Sequence, residues 1–135
     1  MGGKLTNEGE IDIISWYIKN VQTSRGANSL YLGLYTDTTE PAETITLATI
    51  TELALTGYAR IQLNDADWSG AADIATNLAK TFTAGEDWGN VYGYFICNVA
   101  SGTAGEIIFV EHFSTGPFNV ADTKTIEITP KITVA

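Results

Sequence analysis

The apolar positions of this 135-residue chain change their period once. Near the start they fall at Ile11, Ile14, Ile18 and Val21, the spacing of one helical face. Ile13, Trp16 and Tyr17 broaden that stripe. Asn7, with Glu10 three residues on, approximates a capping box. Glu8, Glu10 and Asp12 crowd the early turns and Lys19 lies late, as the helix dipole prefers. The pattern predicts an amphipathic helix over about 7–22. Its apolar face would pack on the chain's own sheet or on a neighbouring subunit.

From Leu30 onward the period is two. In Leu30-Tyr31-Leu32-Gly33-Leu34-Tyr35-Thr36 the leucines point one way and the tyrosines the other. Gly33, between the tyrosines, marks a place where a partner chain or a ring approaches closely. Residues 44–55 fit either a strand or a short helix. Gly57 to Leu63 alternates again, and Asn64-Asp65-Ala66-Asp67 ends it. Further strands are predicted over 74–83, 88–99, 106–113 and 124–134. The run Val91 to Cys97 is apolar without interruption, which suggests a central strand covered on both faces. Residues 115–122 read as a turn around Gly116 and Pro117. Pro130 interrupts the last strand, which should therefore be an edge strand or carry a bulge there. Short strands divided by turn signals predict a mainly β fold. The expectation is a single antiparallel β-sandwich or jelly-roll-like domain over 1–135, with the helix at about 7–22 and strands over about 30–134.

Composition narrows the function classes. Charged residues make up 17% of the chain, below the usual share of about 25%. A surface with few charges suits a chain that buries part of itself against partners. The net charge is −9, and the seven basic residues lie scattered. No positive stripe forms, so binding to nucleic acid or to an anionic membrane is not expected. The first residues lack the apolar core of a signal peptide, and Met1 to Thr6 only weakly matches a myristoylation start. No stretch is apolar enough for a transmembrane helix.

The order of these elements carries a resemblance. The strand Leu30 to Thr36 follows the helix. Then come Gly57-Tyr58-Ala59-Arg60, Trp88-Gly89-Asn90-Val91-Tyr92-Gly93-Tyr94-Phe95, and finally Ile128-Thr129-Pro130-Lys131-Ile132. The whole resembles small virion structural proteins of tailed bacteriophages. The resemblance implies a β-rich subunit present in many copies on the particle, decorating the capsid or belonging to the tail. It supplies no functional residues.

Catalytic chemistry is hard to assemble from these residues. Cys97, the one cysteine, lies in an apolar run and reads as a small buried hydrophobe. His112, the one histidine, reads as a strand residue. A Cys97–His112 pair would need adjacent strands to bring the two together. Asn64-Asp65-Ala66-Asp67 places oxygen ligands at alternating positions, but it lacks the glycine and the final glutamate of a calcium loop. It reads as a solvated turn. No phosphate loop is present. The expectation is therefore a non-enzymatic virion protein with no cofactor and no metal.

The leading expectation is a capsid decoration or cement subunit. Its partners would be itself, as a homo-oligomer and specifically a trimer, and the major capsid protein or other virion proteins. Trp16, Ile14, Ile18, Tyr31, Tyr35 and Trp88 are the candidate interface anchors. The alternative is a tail component (a fibre, baseplate or adhesin module) with carbohydrate binding through its aromatic residues.

Overall fold

A computed structural model describes residues 13–20, 25–71 and 73–134, without the side chain of Trp16. The chain is mainly antiparallel β, as the period-two pattern predicts. Ten strands lie among the described residues. They are β1 (Leu30–Tyr35), β2 (Ile61–Leu63), β3 (Ile74–Thr76), β4 (Lys80–Thr83), β5 (Gly89–Val91), β6 (Gly93–Cys97), β7 (Ile107–His112), β8 (Phe118–Val120), β9 (Thr125–Ile128) and β10 (Lys131–Thr133). One four-stranded sheet runs β2-β1-β6-β7, and three two-stranded sheets pair β10 with β3, β4 with β9 and β5 with β8.

The helix expected over about 7–22 is not supported. Its described part makes a single π-turn, Ile14–Ile18, closed by Lys19 N–H on Ile14 O at 2.8 Å. Asn7, Glu10, Ile11 and Val21 lie outside the described residues. The physical reason for the early stop is Asn20, whose φ of 56° is left-handed and cannot continue a right-handed turn. Its side-chain amide bonds Arg25 O and Asp65 instead. The apolar period still has meaning, because Ile14 and Ile18 are both buried.

The chain divides into two compact units, residues 1–29 with 63–79 and 129–135, and residues 30–62 with 80–128. In the first, β3 pairs antiparallel with β10, Ala75 opposite Ile132, and the π-turn lies against β3. Pro130 breaks the last run between β9 and β10, and its carbonyl accepts Asn77 N–H at 2.9 Å.

The second unit is built around β1 and β6, which pair from Tyr31 opposite Cys97 to Tyr35 opposite Gly93. Every residue of β6 is buried, as its unbroken apolar run predicts. On one face Tyr35, Phe95 and Cys97 pack with Leu47 and Ile50, and Ile45, Ile107 and Val110 close over them. Residues 44–55 thus serve this core from turns, not from a regular element.

Gly33 sits opposite Phe95, and a methyl group there would overlap the Phe95 ring. The ring fills the space that the missing side chain leaves. Gly33→Ala is expected to destabilise by about 1–3 kcal/mol. The upper half of that range is expected because Phe95 is fully buried and has little room to yield. Urea denaturation measures it, and an unchanged midpoint would contradict this packing.

Candidate functional site

Among the described residues, three places set ionisable side chains against buried partners. Two of them are buried clasps around an arginine.

In the first unit, Arg25 folds over the 3₁₀ turn Asp65–Asp67. Its side chain is 6% exposed, and Nη2 lies 2.7 Å from Asp65 Oδ1. All its N–H directions are used. Nε donates to Tyr17 O, Nη1 to Gly26 O and Ser29 Oγ, and Nη2 also to Ile18 O. Asp65 Oδ2 accepts from Asn20 Nδ2 and from Asn28 N–H, each at 2.9 Å. The carboxylate read from sequence as part of a solvated turn is thus the hub that ties Asn20, Arg25 and Asn28 together. Its oxygens accept from the Arg25 guanidinium, the Asn20 amide and the Asn28 N–H.

Burial alone would raise the Asp65 pKa. The hydrogen bonds from Asn20, Asn28 and Arg25, with the Arg25 charge, outweigh burial and hold it below the usual carboxylate value. A depressed folded-state pKa means that the unfolded chain binds the proton first. The stabilisation is therefore present above the unfolded value, near 3.8, and is lost as pH falls through the folded one. Unfolding midpoints should drop from about pH 4 downward, and Asp65→Asn should flatten that acid limb. Identical pH profiles for the two proteins would refute the assignment.

In the second unit, Arg60 is 3% exposed at its side chain, and Nη2 lies 2.8 Å from Glu52 Oε1. Nε donates to Glu52 Oε2, and the remaining donors reach Val99 O and Gly102 O. Tyr58 Oη donates to the same carboxylate and accepts Leu34 N–H. The guanidinium also lies 5.6 Å from the centre of the Phe95 ring. Burial first, then the Glu52 contact, push the Tyr58 phenol far above its ordinary pKa, so it remains a hydroxyl. A polar pocket of about 260 Å³ opens beside Glu52, Tyr58, Arg60 and Ser101. Its polar groups are mostly engaged with one another, which gives the pocket the character of a brace.

The third place is His112, on β7. Its Nδ1 lies 2.8 Å from Tyr35 Oη, which is also 3.1 Å from Glu111 O. A hydroxyl has one hydrogen to give. Both contacts are satisfied when Tyr35 donates to Glu111 O and His112 Nδ1–H donates to Tyr35. The rings of Tyr35 and Tyr92 lie nearly parallel to the imidazole. Gly93, opposite His112, leaves the space that the Tyr35 hydroxyl and the Glu111 carbonyl occupy.

Cys97 is not beside His112. Cys97 pairs with Ile107 and His112 with Gly93, four positions away on β6, a separation of about 13 Å along a strand. The thiol is buried, which raises its pKa, and its Sγ contacts Val99 O. It has the environment of an inert core cysteine. Among the described residues no cluster of His, Cys, Asp and Glu could hold a metal ion.

Four of the six candidate anchors lie inside the chain: Ile14, Ile18, Tyr35 and Trp88 are all buried. Trp88 Nε1 donates to Thr56 O at 2.8 Å. Tyr31 is half-buried and packs at the margin of the Tyr35–Phe95 core. The side chain of Trp16 lies outside the described residues. Among the described residues the large apolar side chains left exposed are Ile13, Leu55, Leu78 and Phe118. Sequence pattern did not single these out as surface.

Comparison with known proteins supplies what this geometry does not, the family of the chain. No curated protein and no solved structure matches it significantly. Residues 4–132 match the family described as Podophage GP4 fiber I protein gp80. The phage-virion resemblance therefore holds at the level of a fibre, and the capsid-cement expectation gives way to the tail alternative. The chain belongs to the podophage GP4 fiber I protein gp80 family: it is a structural protein of the phage virion and not an enzyme.

Proposed function

We propose that this chain is a building block of the podophage tail fibre, holding its place by protein–protein contact. The match of residues 4–132 to a fibre family carries the reading. The buried arginine clasps support it, because they tie loops to the rest of their units through fixed hydrogen bonds. The low charged fraction of 17% supports it too, since a sparsely charged surface loses little solvation on being covered. Its partners in this reading are further copies of itself and neighbouring virion proteins. Contacts of modest strength, repeated along a fibre, add through avidity.

Copy number tests the assignment. Quantitative mass spectrometry of purified particles should find the chain in tens of copies or fewer, as fits an appendage. Hundreds of copies per particle would return it to the capsid. Carbohydrate binding is a separate question, and a glycan array probed with the chain answers it.

A further inference from the structure

β7 forms one outer edge of the four-stranded sheet. Natural sheet edges are usually kept short, charged, broken by proline or covered. The opposite edge, β2, obeys this with three residues. β7 has six, Ile107-Ile108-Phe109-Val110-Glu111-His112, with no lysine and no proline; its one irregularity is a register shift at Ile108, beyond which Phe109 to His112 run on in regular pairing.

Alternation shows which backbone groups face outward. Leu34 gives its N–H to Tyr58 Oη and its C=O to Leu53 N–H, so it does not bond to β6. Its partner Tyr94 must then turn its own backbone groups toward β7, where it meets Glu111. Val110 and His112, on either side of Glu111, turn their N–H and C=O away from the sheet. The bond from Phe113 N–H to Tyr92 O has the same phase. Among the described residues no backbone hydrogen bond from another element reaches these outward groups. Beside them a groove of about 360 Å³ is lined by Glu43, Ile45, Ile107, Ile108, Phe109 and Val110. Glu43 lines the groove, and Glu106 and Glu111, towards the two ends of β7, are exposed as well.

We infer that the β7 edge receives an extended segment of a different virion protein, added as a further antiparallel strand, with apolar residues at its centre and Lys or Arg at its ends. Main-chain hydrogen bonds would supply much of the affinity, and the groove would select the apolar side chains. Charge decides the occupant. The chain carries −9 overall, and pairing two β7 edges would crowd the Glu106 and Glu111 carboxylates of both copies along one ladder, which is unfavourable. A segment with basic ends turns the same carboxylates into attraction. The inference does not depend on where in the virion the chain sits.

The test is an array of overlapping short peptides covering every protein of the phage particle, this chain included. It is probed with the labelled full-length chain and two variants. Val110→Pro removes an outward N–H together with the valine packing on the core, while the groups that bond β6 belong to its neighbours Phe109 and Glu111. The triple variant Glu43→Lys, Glu106→Lys, Glu111→Lys leaves the backbone unchanged. It carries the test if the proline variant does not fold, as judged by circular dichroism. The strongest peptides should come from another protein and combine an apolar centre with basic ends. Each variant should weaken them at least roughly tenfold. The inference is overturned if the best peptides come from this chain or are acidic, if binding survives the substitutions, or if the wild-type chain binds none.

Discussion

Arg60→Ala is expected to lower stability by about 3 kcal/mol, the low end of the cost of breaking a buried ion pair. The substitution leaves Glu52 without its fork and removes donors from Val99 O and Gly102 O. It also removes the cation above the Phe95 ring. The low end applies because Glu52 is 26% exposed, so water recovers part of its solvation. Arg60→Lys should recover only a minor part of the loss, since an ammonium cannot serve two carboxylate oxygens and two carbonyls in one plane. Chemical denaturation of the three proteins measures this. Equal stability of the lysine variant and the wild type would show that charge alone matters at Arg60.

Arg25→Ala should cost about 3–5 kcal/mol, the full range for a buried pair. Here one guanidinium holds four neighbouring groups besides Asp65: the carbonyls of Tyr17, Ile18 and Gly26 and the hydroxyl of Ser29. None of these lies in a regular strand, so no ladder replaces the lost bonds. The loss should concentrate in the first unit. Amide exchange there should speed up around the π-turn Ile14–Ile18 and around β3, while the β1–β6 ladder keeps its protection. Uniform loss of protection across both units would mean that the clasp supports more than its own surroundings.

The two clasps were also the least legible feature of the sequence. The scattered basic residues show the absence of a phosphate-binding stripe, but not which carboxylate each one meets. Arg25 and Asp65 are 40 positions apart, and nothing in Asn64-Asp65-Ala66-Asp67 distinguishes a hub from a solvated turn. The clearest signals came from backbone period and apolar runs, which depend on neighbours in the chain. Leu30–Tyr35, Gly93–Cys97 and Ile107–His112 are strands within the expected stretches. Gly33 does mark a close approach, by the Phe95 ring, and Pro130 does break the final run.

Other patterns misled for identifiable reasons. The alternation from Gly57 suggested a strand, yet only Ile61–Leu63 forms one. Gly57 has a φ of +90°, Tyr58 N–H bonds Leu55 O, and Arg60 is drawn to Glu52. The helical stripe at Ile14 and Ile18 reported burial correctly but not the element, because Asn20 ends the turn. β5 and β8 have three residues each, too few to display a two-residue period. Burial also explains why aromatic content alone was a poor guide to surface. Tyr35 and Trp88 serve the chain's own core, whereas Phe118 remains exposed against Phe113.

In the proposed reading the chain works by fitting against neighbouring virion proteins at a particular station on the particle. An asymmetric cryo-electron microscopy reconstruction of the intact virion, with the chain fitted into density, examines that directly. The β1–β6 ladder should be found in the appendages at the tail, in contact with other subunits. Density for it over the head shell, with the tail accounted for by other proteins, would contradict the account.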